Sequence, residues 1–386
     1  MSYEKIISDN KAWIDETFAK LEKKLSRTAV SSRNKIPYTT DENGVHTDTS
    51  KNIHCWTNGF WGGIMWLMYE ATGNEDYKLT ALKSEELMDK CFEEVEKLHH
   101  DVGFMWHILA GANYRLTGDM AARNKNLFAA MSLASRYNVE GDYIRSWNGW
   151  TKDDNTGWTI IDCMMNIPQL YWASEQLDDT RFKKIAMRYA DMAMKDHVRP
   201  DGSINHIVVH DTENPGVVNT LRGQGYGVGS TWSRGEAWAL YGFILSYIHT
   251  GKTEYLDTAK KVAHYFITNV ANTDWLPLCD FRAPETPVIY DSTAGAIAAC
   301  GIIEIAKAVP EFEKDMYLNA AIKILKAMET AWCNWDENAD AILMMGTERY
   351  ERVGEPSKGR HIPIIYGDYY FTEAVLKLKG SKFLPW

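Results

Sequence analysis

Asp162 stands in the segment Trp158-Thr-Ile-Ile-Asp162-Cys-Met-Met-Asn166-Ile, among side chains that offer a charge little solvation. The charged form of a carboxyl group is disfavoured there, so its pKa is expected to rise. A carboxylic acid that keeps its proton near neutrality can act as a general acid, and its carboxylate can then act as a base. Asn166 lies one turn on and shares the face if the stretch is helical. The competing reading is an Asp at a helix start, capping backbone N–H groups. Asp101 lies in Leu98-His99-His100-Asp101-Val-Gly103-Phe104. The glycine two residues on predicts a turn, which puts this Asp on a loop rim or at the N-cap of a helix around Trp106. Two Asp from different parts of the fold can form a carboxylate pair, whose separation a sequence does not give.

Other residue types surround this pair. Arg234, in Ser230-Thr-Trp232-Ser-Arg234-Gly-Glu236-Ala-Trp238, carries the planar fork that binds both oxygens of a carboxylate. Its alternative is an ion pair with Glu236 or another acid. Trp61, Trp147, Trp150, Trp232 and Trp238 cluster near Gly and polar residues, and such flat faces suit the C–H faces of sugar rings. His206 and His210, followed by Asp211, have the spacing of a metal pair. The intervening Ile-Val-Val disfavours a helix and no Glu accompanies them, so no metal is expected. Gly223-Gln224-Gly225-Tyr226-Gly227 lacks the lysine of a phosphate loop and reads as a flexible loop, within a long functional loop over Asp211–Thr231.

The elements that must position these residues follow a period. At intervals of about sixty residues an amphipathic helical run stops and another begins. The stops fall at Thr72-Gly73-Asn74, Thr117-Gly118-Asp119, Leu177-Asp178-Asp179, Thr250-Gly251-Lys252, Val309-Pro310-Glu311 and Lys379-Gly380-Ser381. Glycine just past a helix accepts the left-handed C-cap conformation, and Asn, Asp or Ser caps the next helix. Helices are expected from Ala81 to Leu98 and around Leu318–Met328, and Asp291-Ser292 is expected to cap a run of small residues suited to an inner helix. Ser203–His210 reads as a short strand or loop. The pattern predicts an all-α toroid of six helical hairpins around a central pit, a single domain over residues 1–386, since no linker or low-complexity stretch divides the chain.

Composition narrows the function. The formal net charge of −10 argues against nucleic acid, and requires a local positive site for any anionic substrate. No run approaches eighteen apolar residues, so no membrane span is expected. The first twenty residues are charged throughout, and the six cysteines form no Cys-x-x-Cys pair; together these predict free thiols in a cytoplasmic protein. Whether the chain forms a homo-oligomer is left open.

Taken together, these segments resemble glycoside hydrolase family 88, the unsaturated glucuronyl hydrolases. The resemblance rests on Trp56-Thr-Asn-Gly-Phe60, His100-Asp-Val-Gly-Phe104, Ile161-Asp-Cys-Met-Met-Asn166, Gln224-Gly-Tyr226, Trp232-Ser-Arg-Gly-Glu-Ala-Trp238, Asp291-Ser-Thr-Ala294 and Tyr366-Gly-Asp-Tyr-Tyr370, in that order along most of the chain. It implies an (α/α)6 barrel, and roles for particular residues. Asp162 matches the general acid/base and Asp101 the second essential Asp. Arg234, Gln224, His206, Trp147, Trp232 and Trp238 match residues around the substrate, and Asn58 and His100 belong to the matched motifs. The implied substrate is an unsaturated uronic acid at the non-reducing end of a di- or oligosaccharide left by a polysaccharide lyase, and the implied hydration of its C4=C5 bond calls for no metal or cofactor. Two features depart from the pattern. Glu236 replaces a Gln and adds an acid near an anionic substrate. The C-terminal loop carries Arg349, Arg352, Ser357, Lys358 and Arg360, a basic cluster suited to a sulfated second sugar or to plain solvation. Rival readings are an unsaturated rhamnogalacturonyl or ulvan-fragment hydrolase, a sugar epimerase using His206, and a non-catalytic sugar-binding toroid.

Overall fold

A computed structural model describes residues 3–149, 153–352, 354–355 and 359–386. Trp150, Ser357 and Lys358, named above, lie outside the described residues. In chain order the helices are α1 (Tyr3–Asp9), α2 (Lys11–Ser31), α3 (Gly59–Thr72), α4 (Glu75–Met88), α5 (Ala110–Thr117), α6 (Met120–Ser135), α7 (Pro168–Leu177), α8 (Thr180–Asp196), α9 (Ser233–Thr250), α10 (Thr253–Ala271), α11 (Ser292–Ala308), α12 (Glu311–Trp332) and α13 (Ile365–Lys379). Short strands are β1 (Tyr137–Asn138), β2 (Tyr143–Ile144), β3 (Trp158–Ile160), β4 (Ile207–His210) and β5 (Val217–Leu221).

The predicted stops are real helix ends. Gly73, Gly118, Asp178, Gly251 and Gly380 each take a left-handed C-cap conformation, and Asn74, Asp119 and Asp179 cap the following helix with their side chains. Five stops join consecutive helices into the hairpins α3–α4, α5–α6, α7–α8, α9–α10 and α11–α12. After Gly380 no helix begins. The sixth pair is instead α13 with α2, from the two ends of the sequence. Hydrophobic burial explains the choice: α13 is buried from Ile365 to Leu378 and needs an outer layer, which the amphipathic α2 supplies. Contacts of α13 with both α11 and α3 close the inner ring, so the fold is an (α/α)6 barrel.

Two other expectations are corrected. The helix expected from Ala81 to Leu98 stops at Met88 and continues as short 3-10 turns to Lys97. The long loop after Asp211 contains β5, which pairs with β4; β4 pairs in turn with β3.

The five hairpin turns and the C-terminal end of α13 lie at one end of the barrel. Every long connection, from an outer helix to the next inner one, therefore lies at the other end, which we call the mouth. The inner ring is packed closely enough to need small residues. A Cβ on Gly242 of α9 would stand 2.4 Å from the Met164 Cβ and 2.7 Å from the Met164 carbonyl oxygen, in the turn that carries Asp162. No helix among the described residues is long and apolar enough to cross a membrane. Gly242→Ala should therefore destabilise the barrel by about 1–3 kcal/mol through overpacking, seen as a lower Tm; an unchanged Tm would refute the close approach.

Candidate active site

The mouth gathers the N-terminal ends of the inner helices. Trp56 and Asn58 precede α3, Asp101 precedes a π-helical turn (Gly103–His107) leading to α5, and Asp162 lies in a 3-10 turn (Ile161–Met165) leading to α7. Arg234 opens α9, Asp291 is the N-cap of α11, and Tyr366 opens α13. Each such end presents backbone N–H groups and a positive partial charge. An acidic chain thus builds a local positive field without many basic side chains.

Sheet register brings Asp162 to His206. Ile160 of β3 pairs with Ile207 of β4, and the Ile161 N–H donates to the His206 carbonyl at 3.2 Å. The residues on either side of this pairing then face each other: His206 Nε2 lies 3.3 Å from Asp162 Oδ1. Asp162 is not a helix cap, since its turn has no side-chain cap hydrogen bond. Its surroundings are also less apolar than Ile161, Cys163 and Met164 suggest, because the imidazole lies against the carboxylate.

The glycine loop fixes the imidazole. The Gln224 N–H donates to His206 Nδ1 at 2.9 Å. Nδ1 is therefore the acceptor, and the ring proton sits on Nε2, facing Asp162. Gly223 makes this possible. Its φ is +58°, and a Cβ there would fall 1.9 Å from His206 Nδ1. The Gln224 side chain donates to the Glu348 carbonyl, and the His206 ring lies 4.3 Å from Trp232. His206 and His210 do not act together: His210 stacks on Tyr143 at 5.0 Å.

Asp101 is buried, not on a rim. Its Oδ2 lies 3.1 Å from His99 Nδ1 and 3.3 Å from His100 Nε2. Burial alone would push its carboxyl up, but His100 and His99 overcome this and hold it well below the usual range. Asn166 ties the two Asp segments together. Its Nδ2 donates to Asp101 Oδ1 and to the Asp162 carbonyl, both at 3.3 Å, and its Oδ1 accepts from the Phe104 N–H at 2.9 Å.

Arg234 is 1% exposed and pairs with Asp291, not Glu236. Its Nη1 donates to Asp291 Oδ2 at 2.5 Å and to the Thr347 carbonyl at 2.6 Å, and its Nη2 donates to the Glu348 carbonyl at 2.6 Å. The guanidinium sits 4.5 Å from the Trp232 ring and 5.3 Å from the Tyr366 ring. Burial opposes the charge, but Tyr366 and Asp291 more than offset it. Asp291, Glu348 and Tyr366 thus belong to the site. The sequence marked Asp291 as a cap and as part of a matched motif, and Glu348 not at all, because their contacts with Arg234 cross the ring.

Three sequence-predicted contacts stand behind the pit wall rather than on it. Asn58, His100 and Trp238 have no exposed surface. Asn58 holds its own loop by donating to the Asn52 carbonyl. Trp238 packs 5.0 Å from Phe104 and 5.5 Å from Tyr370, in an aromatic floor that continues to Trp386. Trp61 is likewise core. Trp147 is half-buried and meets Trp158 edge-on at 5.9 Å. In the basic loop, Arg352 donates to the Tyr226 carbonyl and Arg349 is exposed.

Glu236 is turned away from Arg234. Its Oε1 accepts from the Ile204 N–H at 2.6 Å, bracing the segment that leads into β4, and burial pushes its carboxyl well above the ordinary range. Unfolded, this group ionises near pH 4.3; folded, it keeps its proton. Its contribution to stability is complete below about pH 4.3 and is lost as pH rises toward the folded pKa. Glu236→Gln keeps the acceptor and removes the titration. The Tm advantage of this variant over the parent should grow between about pH 5 and pH 8; a pH-independent difference would contradict the buried, protonated Glu236.

No family model matches the chain. A curated relative named unsaturated glucuronyl hydrolase, from Bacillus sp. (strain GL1), is 36% identical over 84% of this chain and 86% of its own length. The unsaturated chondroitin disaccharide hydrolase of Streptococcus pneumoniae is 32% identical over 86% of this chain and 83% of its own. The crystal structure of the Bacillus sp. GL1 unsaturated glucuronyl hydrolase, described as responsible for the degradation of glycosaminoglycan, superimposes with a TM-score of 0.88 at 31% identity, over 95% of this chain and 97% of that one. With that identity sustained across most of both chains, this protein belongs to glycoside hydrolase family 88, the unsaturated glucuronyl hydrolases.

Proposed function

We propose that this enzyme removes the unsaturated uronic acid from the non-reducing end of glycosaminoglycan-type oligosaccharides left by lyases, with Asp162 as its acid and base. The observation that carries the assignment is the Nε2–H of His206 held 3.3 Å from the Asp162 carboxyl by the Gln224 N–H. Family membership supports the substrate class, and the convergent helix N-termini suit its carboxylate.

The reaction needs one group that gives a proton and then takes one. Asp162 gives its proton to C4 of the enol ether. The π electrons form the new C–H bond, and positive charge develops at C5, shared with the ring oxygen. Water adds at C5 and loses a proton to the Asp162 carboxylate. The C5 hemiketal opens to a ketone, leaving C1 a hemiacetal that expels the neighbouring sugar as an alcohol. His206 steadies the Asp162 anion between the two transfers, and the helix ends, with the buried charge of Arg234 behind them, favour the uronate. Asp101, held anionic by His99 and His100, accepts hydrogen bonds from ring hydroxyls. Trp147 and Trp232 flank the sugar, and Gln224 orients the ring. The ring closure between α13 and α2 supports one catalytic domain over the whole chain. Six free cysteines suit a reducing compartment, and on that basis we assign the enzyme to the cytoplasm.

The test is the ultraviolet absorbance of the conjugated uronate, followed on mixing the enzyme with unsaturated chondroitin, hyaluronan and heparin disaccharides. Absorbance should fall with at least one of them, and Asp162→Asn should lower kcat by at least about a hundredfold. Stable absorbance with all three would reject the substrate class, and an active Asp162→Asn enzyme would reject the acid.

A further inference from the structure

Beside the pit the mouth holds a cavity of about 890 Å³, within the range of sites that take small ligands. It does not surround Asp162. Its walls come from the connections that precede α3, α5 and α7, so it opens on the same face as the catalytic residues. Two of its lining residues also touch residues of the site. His99 faces the cavity and approaches Asp101 Oδ2 at 3.1 Å. Trp56 faces it and lies 4.9 Å from Tyr366, the ring beside Arg234. The cavity therefore adjoins the pit at His99 and Trp56.

The charges on the wall say what a ligand there carries. In a protein of formal net charge −10, three lysines, Lys51, Lys90 and Lys97, face two glutamates, Glu94 and Glu96. Lys97 pairs with Glu94 at 2.5 Å, and His54 stands 3.9 Å from the same carboxylate. Glu94 is thereby compensated, and its carboxyl is held below the ordinary range by Lys97. Lys51 and Lys90 are exposed and make no ion pair or hydrogen bond among the described residues. They are free to meet an external anion, against Glu96 alone.

We propose that this cavity is a second subsite, binding the anionic sugars that follow the scissile linkage in substrates longer than a disaccharide, with Lys51 and Lys90 as its anion contacts. The proposal rests on the assignment of the pit given above. It makes the enzyme selective for chain length, with the catalytic pit taking the terminal uronate and the cavity taking the far end of a tetrasaccharide.

The experiment compares kcat/KM for an unsaturated tetrasaccharide with that for the disaccharide of the same series, once for unsulfated hyaluronan and once for 6-sulfated chondroitin. The unmodified enzyme should prefer the tetrasaccharide. In Lys51→Ala/Lys90→Ala the ratio of the two constants should fall about fivefold, the size expected of two exposed ionic contacts. The preference of the unmodified enzyme should also shrink as salt rises from about 0.05 to 0.5 M. A fall in the hyaluronan series assigns the lysines to a carboxylate, and a fall confined to the chondroitin series assigns them to a sulfate. Disaccharide turnover with the same ratio in both proteins would overturn the subsite and leave the pit standing. Failure to consume either length would overturn the assignment of the pit, and the subsite with it.

Discussion

Six inner helices turn their N-terminal ends toward one pit, and the site depends on that convergence. Helix N-termini carry unsatisfied N–H groups and positive partial charge. Collected around a cavity they attract an anion, and they must be capped or otherwise satisfied wherever they are buried. Asp291 does both jobs in one place. Its Oδ1 accepts from the Thr293 N–H at the start of α11, and its Oδ2 compensates the buried Arg234. Losing such a partner leaves a buried charge uncompensated, which typically costs about 3–5 kcal/mol. The cap of α11 and the compensation of a buried charge at the pit are therefore tied to one side chain.

The approach of His206 to Asp162 depends on a second device, the small sheet at the mouth. A helical barrel alone would not bring the Asp162 turn to His206, because the two lie in successive connections of the ring. Three short strands do so by register. Because side chains alternate along a strand, a one-residue slip of β3 against β4 would move each facing pair to the opposite side. The β5 strand then returns the chain to Gly223, whose left-handed backbone lets the Gln224 N–H reach the imidazole. The glycine-rich stretch is a fixed element that sets a tautomer, where composition alone suggests flexibility.

Asn166 shows how the two Asp segments are kept in one geometry. Its amide reaches Asp101, the Asp162 carbonyl and the Phe104 N–H together. The aromatic floor of Phe104, Trp238, Tyr370 and Trp386 supports those groups from below. Trp238 contributes by packing, which explains why a residue beside Arg234 in sequence has no surface in the pit.

By itself the sequence determined the local features. Left-handed caps at Gly73, Gly118, Gly251 and Gly380, side-chain caps at Asn74, Asp119 and Asp179, and the 3.6-residue hydrophobic period are written within a few residues of where they act, because helix ends and faces are set by local sterics and hydrogen bonding. The motif residues Asp101, Asp162 and Arg234 were legible for the same reason: their types and neighbours suggest chemistry before any fold is known. Tertiary structure decided the partners. That α13 closes on α2, that Arg234 pairs with Asp291 and not with Glu236, that His99 and His100 hold Asp101 as an anion, and that His206 faces Asp162 while His210 faces Tyr143 all follow from contacts between residues far apart in sequence. Such contacts are fixed by burial and register around the ring, and short-range pattern carries no record of them.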